Sequence, residues 1–373
     1  LRSMSTIISI VSYPFLPAKL GGQKGIALFN KYLSAHVRLI CITTKNNIPS
    51  AAEGYEVRNT ISNSPLRYIN IFLFFSIYKT IKKEKASHLI LEHPYYGWLG
   101  ILLKRFSGVK LVMHSHNIEA LRWKTLKKWW WPVLAFYEKQ THRYADQNFF
   151  IRQEDKLYAI ETFGLKAEKC NTITYGIEWN TIPPETEKQG CKRKLQQLHN
   201  IAPGTKILLF NGSLDYAPNL QAVKTIAGEI NELLITTGEK YKIIICGKGL
   251  PAEMNELIAY ADKNIIYAGF VEDISIYFKA ADIFINPVID GGGIKTKLVE
   301  ALGHNVTCVT TESGAVGVPP ELNGNKMCIV ADTDVQGFVN AILQADINAN
   351  IPATFFEHFY WGNIAMKVKR IIG

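Results

Sequence analysis

Short apolar runs and longer amphipathic ones take turns along this chain. "TIISIVSY" (6–13), "VRLICITT" (37–44), "ASHLILEH" (86–93) and "VKLVMHSH" (109–116) are compact, largely β-branched runs that read as strands. "GGQKGIALFNKYLSAH" (21–36) and "PYYGWLGILLKRFSG" (94–108) carry apolar residues at helical spacing. Around "YGIEWNTIPPETEKQG" (175–190) the pattern breaks into Pro, Gly and charge, as an interdomain linker does. The alternation then restarts. Strands are expected at "KILLFNGSL" (206–214), "YKIIICGKG" (241–249), "NIIYAGFV" (264–271) and "IFINPV" (283–288). Helices are expected near "PNLQAVKTIAGEINELL" (218–234), at "PAEMNELIAYAD" (251–262) and "ISIYFKAAD" (274–282), and around Glu300. The last segment, "FYWGNIAMKVKRII" (359–372), is an amphipathic helix. Strands alternating with helices predict parallel sheets covered on both faces, with ligands at the carboxyl ends of the strands. The class is α/β, with two doubly wound domains.

Composition narrows the picture. With 373 residues, 47% hydrophobic and 20% charged, the chain is globular and long enough for two cores. The apolar stretch "YINIFLFFSIY" (68–78) falls short of the roughly eighteen residues a membrane helix needs. The N-terminus shows no ordered charged, apolar and cleavage regions, so no secretory leader is expected. Leu1, Arg2 and Ser3, ahead of Met4, are expected to be additions to the native start. Six scattered cysteines without a C-x-x-C pair suit reduced thiols in the cytoplasm. Of the net +10, residues 1–180 supply 25 Lys and Arg against 12 Asp and Glu. Six of the seven tryptophans lie in that same half. Two stretches, 67–85 and 122–139, mix aromatic with basic residues. They either pack on the first sheet with solvated lysines or meet an anionic membrane at the inner face of the cytoplasmic membrane. No nucleic-acid module is legible, and no nucleic-acid partner is expected.

The chemistry concentrates in "NPVIDGGGIKTKLVEALG" (286–303). Gly291, Gly292 and Gly293 let backbone amides approach a ligand. The following helix start favours phosphate, and Lys295 and Lys297 add full charges. Glu300, about two turns in, would repel phosphate but would accept hydrogen bonds from a sugar. A solvated lysine face on a glycine turn is the plainer alternative. "GGQKGI" (21–26) is a second glycine turn before a helix. "HSHNIE" (114–119) and "LEHPYYG" (91–97) end neighbouring strands and set His114, His116, Asn117, Glu119, Glu92 and His93 at the ligand edge of the first domain. A metal bound by His114 and His116 would need a third ligand that the sequence does not make evident, so none is expected. Asp273 reads as a helix N-cap. Asp332 and Asp334 in "ADTD" read the same way, rather than as a metal–nucleotide motif. "CGKG" (246–249) lacks the third glycine of a dinucleotide fingerprint.

"LLFNGSLDYAPNLQAV", "GFVEDISIYFKAADIFINPV" and "GGGIKTKLVEALG", with "YPFLPAKLGGQKGI" and "HSHNIEALRW" more loosely, resemble the retaining glycosyltransferases of family 4, in a glycine-rich "GGGIK" branch. The resemblance covers nearly the whole chain. It implies a GT-B fold of two Rossmann-like domains facing a cleft. An acceptor domain (1–180, joined by the C-terminal helix near 357–373) would stand opposite a nucleotide-sugar domain (181–356). It implies transfer of a hexose-type sugar from a UDP- or GDP-sugar to a hydroxyl of a glycan or lipid-linked glycan, in cell-surface polysaccharide synthesis. No cofactor and no metal would be needed.

By that resemblance Glu300 holds the nucleotide ribose, Gly291, Gly292, Gly293, Lys295 and Lys297 fall at the diphosphate, Gly212, Ile294 and Thr296 bind the donor, and Lys297 and Glu300 count with His116 as catalytic. Gly269, Phe270 and Val271 meet the base, and Gly22 sits over the diphosphate. His116, with His114 as the competing register, stands near the transferred sugar, and Asn117, Glu119, Glu92 and His93 lie on the acceptor side. The sequence departs from the family in two places. Gly292 stands eight positions before Glu300, where the family often has a second glutamate. The loop "NGSLDYAPN" (211–219) lacks the usual Arg/Lys pair, for which Lys295 and Lys297 are the expected substitutes. A nucleotide-sugar epimerase and a noncatalytic nucleotide-sugar binder are the alternatives.

Overall fold

The structure is a computed structural model that describes residues 5–373; the expectation about the residues ahead of Met4 lies outside them. Two compact units appear, one holding the chain up to Glu178 together with Phe359–Gly373, the other Trp179–His358.

The first unit is built on seven parallel strands: β1 (Thr6–Val11), β2 (Arg38–Thr44), β3 (Glu56–Ile61), β4 (His88–Glu92), β5 (Lys110–Ser115), β6 (Gln147–Phe150) and β7 (Cys170–Thr172). Their order is β3-β2-β1-β4-β5-β6-β7. β1 and β4 are buried along their whole length, as strands with helices on both faces must be. Helices α1 (Gly21–Ser34), α2 (Phe72–Glu84), α3 (Gly97–Ser107), α4 (Glu119–Thr125) and α5 (Trp131–Tyr144) lie on the sheet or on one another. On α2 the buried residues are Leu73, Ile77 and Ile81, a single stripe at four-residue spacing that packs with Leu99 and Leu103 of α3. Each such side chain taken from water is worth about 1.5–3 kcal/mol. The C-terminal helix Trp361–Ile372 returns to α1 with Trp361, Ile364, Ala365, Val368 and Ile372 buried.

The second unit has six parallel strands: β8 (Lys206–Asn211), β9 (Tyr241–Cys246), β10 (Ile265–Gly269), β11 (Ile283–Asn286), β12 (Thr307–Thr311) and β13 (Met327–Val330), in the order β10-β9-β8-β11-β12-β13. In both sheets the chain first winds one way and then the other. The crevices open where the order reverses, at the carboxyl ends of β1 and β4 and of β8 and β11.

Several expectations change in detail. β3, β6, β7, β12 and β13 are short or polar and gave no clear alternation in sequence. The linker stretch is helical from Glu185, where Pro184 precedes a first turn carrying Glu185 and Glu187. Residues 251–262 are not a regular helix. Their 3-10 turns are interrupted at Asn255, Glu256 and Leu257, all at positive φ, and this kink carries Leu257 into the core. Asp273 and Asp334 cap helices as expected, accepting from the amides of Ser275 and Gly337.

Candidate functional site

In the second unit the glycine loop leaves β11 and runs into the helix Thr296–Gly303. Gly291 has φ +96, and a Cβ on it would lie 2.6 Å from the Tyr216 hydroxyl, so glycine is required there. Lys295 is the N-cap residue, and its ammonium donates back to the Gly291 carbonyl, closing the loop on itself. The amides of Leu298 and Val299 both return to Lys295 O, so the leading donors of the helix are the amides of Thr296 and Lys297. Gly292 and Ile294 lie in the loop between, and Glu300 stands half-buried one turn further on.

Lys297 is the unusual group. Its ammonium donates to Asn219 Oδ1 at 3.0 Å and lies 4.2 Å over the Phe210 ring. No carboxylate among the described residues pairs with it. Burial, followed by the neighbouring charge of Lys295, pulls its pKa down to about 7. Asn219 is held from its other end, where its amide donates to Ser213 O at 2.9 Å. Gly212 makes room for it, since a Cβ there would meet Asn219 Nδ2 at 2.7 Å. Gly212, Gly247 and Gly269 then stack through backbone contacts: Gly212 N–H donates to Cys246 O, and Gly247 N–H to Gly269 O. Gly269 is at φ +65, Phe270 beyond it is exposed, and Val271 is half-buried. Gly212, Gly291, Lys295 and Lys297 therefore converge at the ends of β8 and β11, with Gly269 reached through the β9 turn. Phe210, Tyr216 and Asn219 were missed from sequence. The only hint was a cation-free loop, and nothing local shows that Asn219 would meet Lys297, 78 residues away.

In the first unit Glu92 ends β4 and is in register with His114 on β5. Its Oε2 accepts from His116 Nε2 at 2.6 Å and lies 3.0 Å from His114 Nδ1, off the hydrogen-bond line. Burial alone would push this carboxyl up, but the two imidazoles, His114 beside it and His116 hydrogen-bonded to it, outweigh it and hold Glu92 well below the usual range. An ionised Glu92 makes Nε2 of His116 the protonated nitrogen of that contact. Burial holds His114 down, between Phe29 and Phe149.

A second relay sits beside the first. His93 Nδ1 faces Glu119 Oε1 at 3.2 Å, its Nε2 faces the Tyr13 hydroxyl at 3.0 Å, and its ring stacks on His116 at 4.5 Å. His93 is at φ 71, ψ 157, a region that costs a non-glycine residue roughly 1–3 kcal/mol and is met mostly at functional sites. Glu119 is fully buried and also accepts from Tyr95 at 2.6 Å. After burial raises it, His93 and Tyr95 bring its carboxyl down to about 2. Asn117 forms the turn after β5, its carbonyl accepting from Ser115.

Glu92, His114 and His116 bring their ligand atoms within 4.8 Å of one another. The carboxylate is the third ligand that the sequence did not make evident. Two imidazoles and a carboxylate are a donor set that metals use. Here, however, both nearest imidazole nitrogens lie within 3.0 Å of the same carboxylate oxygen. Gly22 lies exposed in the first turn of α1 with open space around it.

Comparison with known proteins agrees with this architecture. Residues 205–345 match the family described as glycosyl transferases group 1, and residues 21–179 match glycosyltransferase family 4. A Klebsiella pneumoniae protein described as an uncharacterized 44.6 kDa protein in the cps region is 22% identical, over 89% of each chain. The UDP-Gal:α-D-GlcNAc-diphosphoundecaprenol α-1,3-galactosyltransferase of Escherichia coli is 24% identical, over 72% of this chain and 68% of its own. Among solved structures, a glycosyltransferase from Rickettsia africae superposes with a TM-score of 0.72 at 16% identity, over 99% of this chain and 98% of its own. The fold is GT-B.

Proposed function

The chain belongs to the group 1 glycosyl transferases of family 4, which act on a nucleotide-sugar donor, and from that premise we propose that it is a retaining, metal-independent hexosyltransferase using a UDP-sugar. The acceptor is a hydroxyl of a lipid-linked glycan, in the assembly of a surface polysaccharide. The E. coli relative, a galactosyltransferase on a diphosphoundecaprenol acceptor, supports the donor base and the acceptor class. The observation that carries the reading is Lys297, a half-buried cation without a carboxylate partner among the described residues, at a glycine loop and helix start suited to an anion.

In this reading the second unit binds the donor. Lys297, Lys295 and the amides of Gly292 to Thr296 meet the diphosphate, Glu300 accepts from the ribose, and Gly269 to Val271 meet the base. Stabilising charge on the departing diphosphate is commonly worth about 2.7–4 kcal/mol per well-placed donor. The first unit binds the acceptor, with His116 beside the transferred sugar. With no carboxylate nucleophile assigned, the acceptor attacks from the face the diphosphate leaves, and the departing phosphate takes its proton.

The test is a thermal-shift series with UDP, GDP, ADP and NAD on the wild type and on Glu300→Ala. A ligand at about a hundred times its Kd adds roughly 2.7 kcal/mol, a shift of several degrees. The expected result is a shift with UDP that Glu300→Ala loses. A shift with NAD alone, or none with any nucleotide, overturns the reading. Conversion of the donor with no acceptor present would make the protein an epimerase.

A further inference from the structure

From residue 65 to residue 139 the chain holds thirteen Lys and Arg and four acids, Glu84, Glu92, Glu119 and Glu138. None of the four carboxylates faces solvent. Glu92, Glu119 and Glu138 are buried, and Glu84, its side chain 9% exposed, is paired with Arg38 and Arg58. The basic residues are turned outward: Lys79, Lys82 and Lys83 on α2, Arg105 on α3, and Lys124, Lys127 and Lys128 around the turn between α4 and α5. A stretch this long with only cations at its surface is matched to an anionic partner.

The same elements also expose large apolar side chains. Phe72 and Phe75 on α2 are one turn apart and outward, Phe72 being 73% exposed. Phe106 on α3 touches Phe74 beside them, and Lys82 of α2 reaches the Ser107 carbonyl, so the two helices present one surface. Trp129, before α5, is 85% exposed, and Val133 and Phe136 continue outward along α5. α3 lies against both α2 and α5. The core does not need these residues, because Leu73, Ile77, Ile81, Leu99 and Leu103 already fill it. Single exposed apolar residues are ordinary, but a run of aromatics on adjacent helices, interleaved with lysines and free of acids, is not.

We propose that the α2–α3–α5 face of the first unit docks on the surface of an anionic bilayer, with Phe72, Phe75, Phe106 and Trp129 entering the headgroup region and the lysines pairing with lipid phosphates. The combination of apolar insertion and positive charge is that of interfacial binding. No helix among the described residues is long and apolar enough to cross a membrane, so the contact is with one leaflet. The proposal deepens the proposed function and rests on it for its purpose, since a lipid-linked acceptor is presented at such a surface.

The test is flotation of the full chain with vesicles of phosphatidylcholine alone and of equimolar phosphatidylcholine and phosphatidylglycerol, without donor or acceptor. Failure here is thereby separate from failure of the transferase reading. The expected result is binding to the anionic vesicles that weakens with salt. Lys127→Glu with Lys128→Glu lowers it by about fivefold or more per position. Phe72→Ser with Phe75→Ser lowers it by about tenfold per ring. Both double variants keep the wild-type thermal midpoint and UDP shift, because all four side chains are exposed. Equal flotation with neutral vesicles, flotation unchanged in either variant, or a stable dimer that Phe72→Ser with Phe75→Ser dissociates would each overturn the proposal.

Discussion

Glu92 Oε2 lies 2.6 Å from His116 Nε2, and the two belong to different strand ends, β4 and the turn after β5. The contact fixes the plane of the His116 ring, which makes Glu92 a positioning residue for the histidine proposed to stand beside the sugar. Glu92→Gln keeps the shape but removes the charge. Its kcat is expected to fall by about tenfold to a hundredfold, with donor KM little changed and a shifted pH profile. His116→Ala loses at least as much. Steady-state kinetics across pH checks both, and near-normal turnover in His116→Ala would remove that residue from the mechanism.

The same geometry bears on metals. His114 Nδ1 and His116 Nε2 both lie within 3.0 Å of Glu92 Oε2, so the acid already has its counter-groups. Dialysis against EDTA is expected to leave transfer unchanged. Activity lost on dialysis and restored by zinc or manganese would overturn metal independence.

Lys297 gives donor binding a pH dependence of defined sign. With its pKa near 7, the lysine is charged below that pH and increasingly neutral above it. A diphosphate binds the charged form, so binding takes up a proton and UDP affinity falls as pH rises past about 7, by up to about tenfold per unit. Calorimetry in buffers of different ionisation enthalpy reads the proton directly. Lys297→Met abolishes the dependence and weakens UDP by about tenfold to a hundredfold.

Gly212→Ala tests whether Asn219 positions that lysine. The added Cβ would sit 2.7 Å from Asn219 Nδ2, displacing a side-chain end and not the backbone. The expected outcome is UDP affinity lowered by about tenfold, with a thermal midpoint moved by little. Unchanged affinity would show that Asn219 does not hold Lys297 in place.

Glu138 on α5 accepts from the amides of Glu119 and Ala120, each at 2.9 Å, and so holds the start of α4. Glu138→Ala leaves two buried donors without an acceptor and is expected to cost about 2–4 kcal/mol in denaturant unfolding. Burial, against the pull of those amides, raises the carboxyl from 4.5 to about 8. A carboxyl raised on folding stabilises fully below its unfolded pKa and loses that contribution as pH rises through the folded one. Wild-type stability is therefore expected to decline between about pH 5 and 8 by an increment that Glu138→Gln lacks.

The sequence by itself determined the fold class, the alternation of strands and helices in both halves, and the glycine-lysine loop at a strand-to-helix junction. These depend on periodicity and on residues adjacent in the chain, where strand and helix geometry leave few choices. Tertiary structure decided the rest. Asn219 and Phe210 became partners of Lys297 only when β8 and β11 paired. Glu92 met His116 only because β4 and β5 lie side by side in register. The same packing turned Leu73 and Ile77 inward and left Phe72 and Phe75 outside, although all four belong to one apolar run. Which side of a helix faces the core, and which distant polar groups meet, is settled by the burial of the whole sheet, and no local stretch encodes it alone.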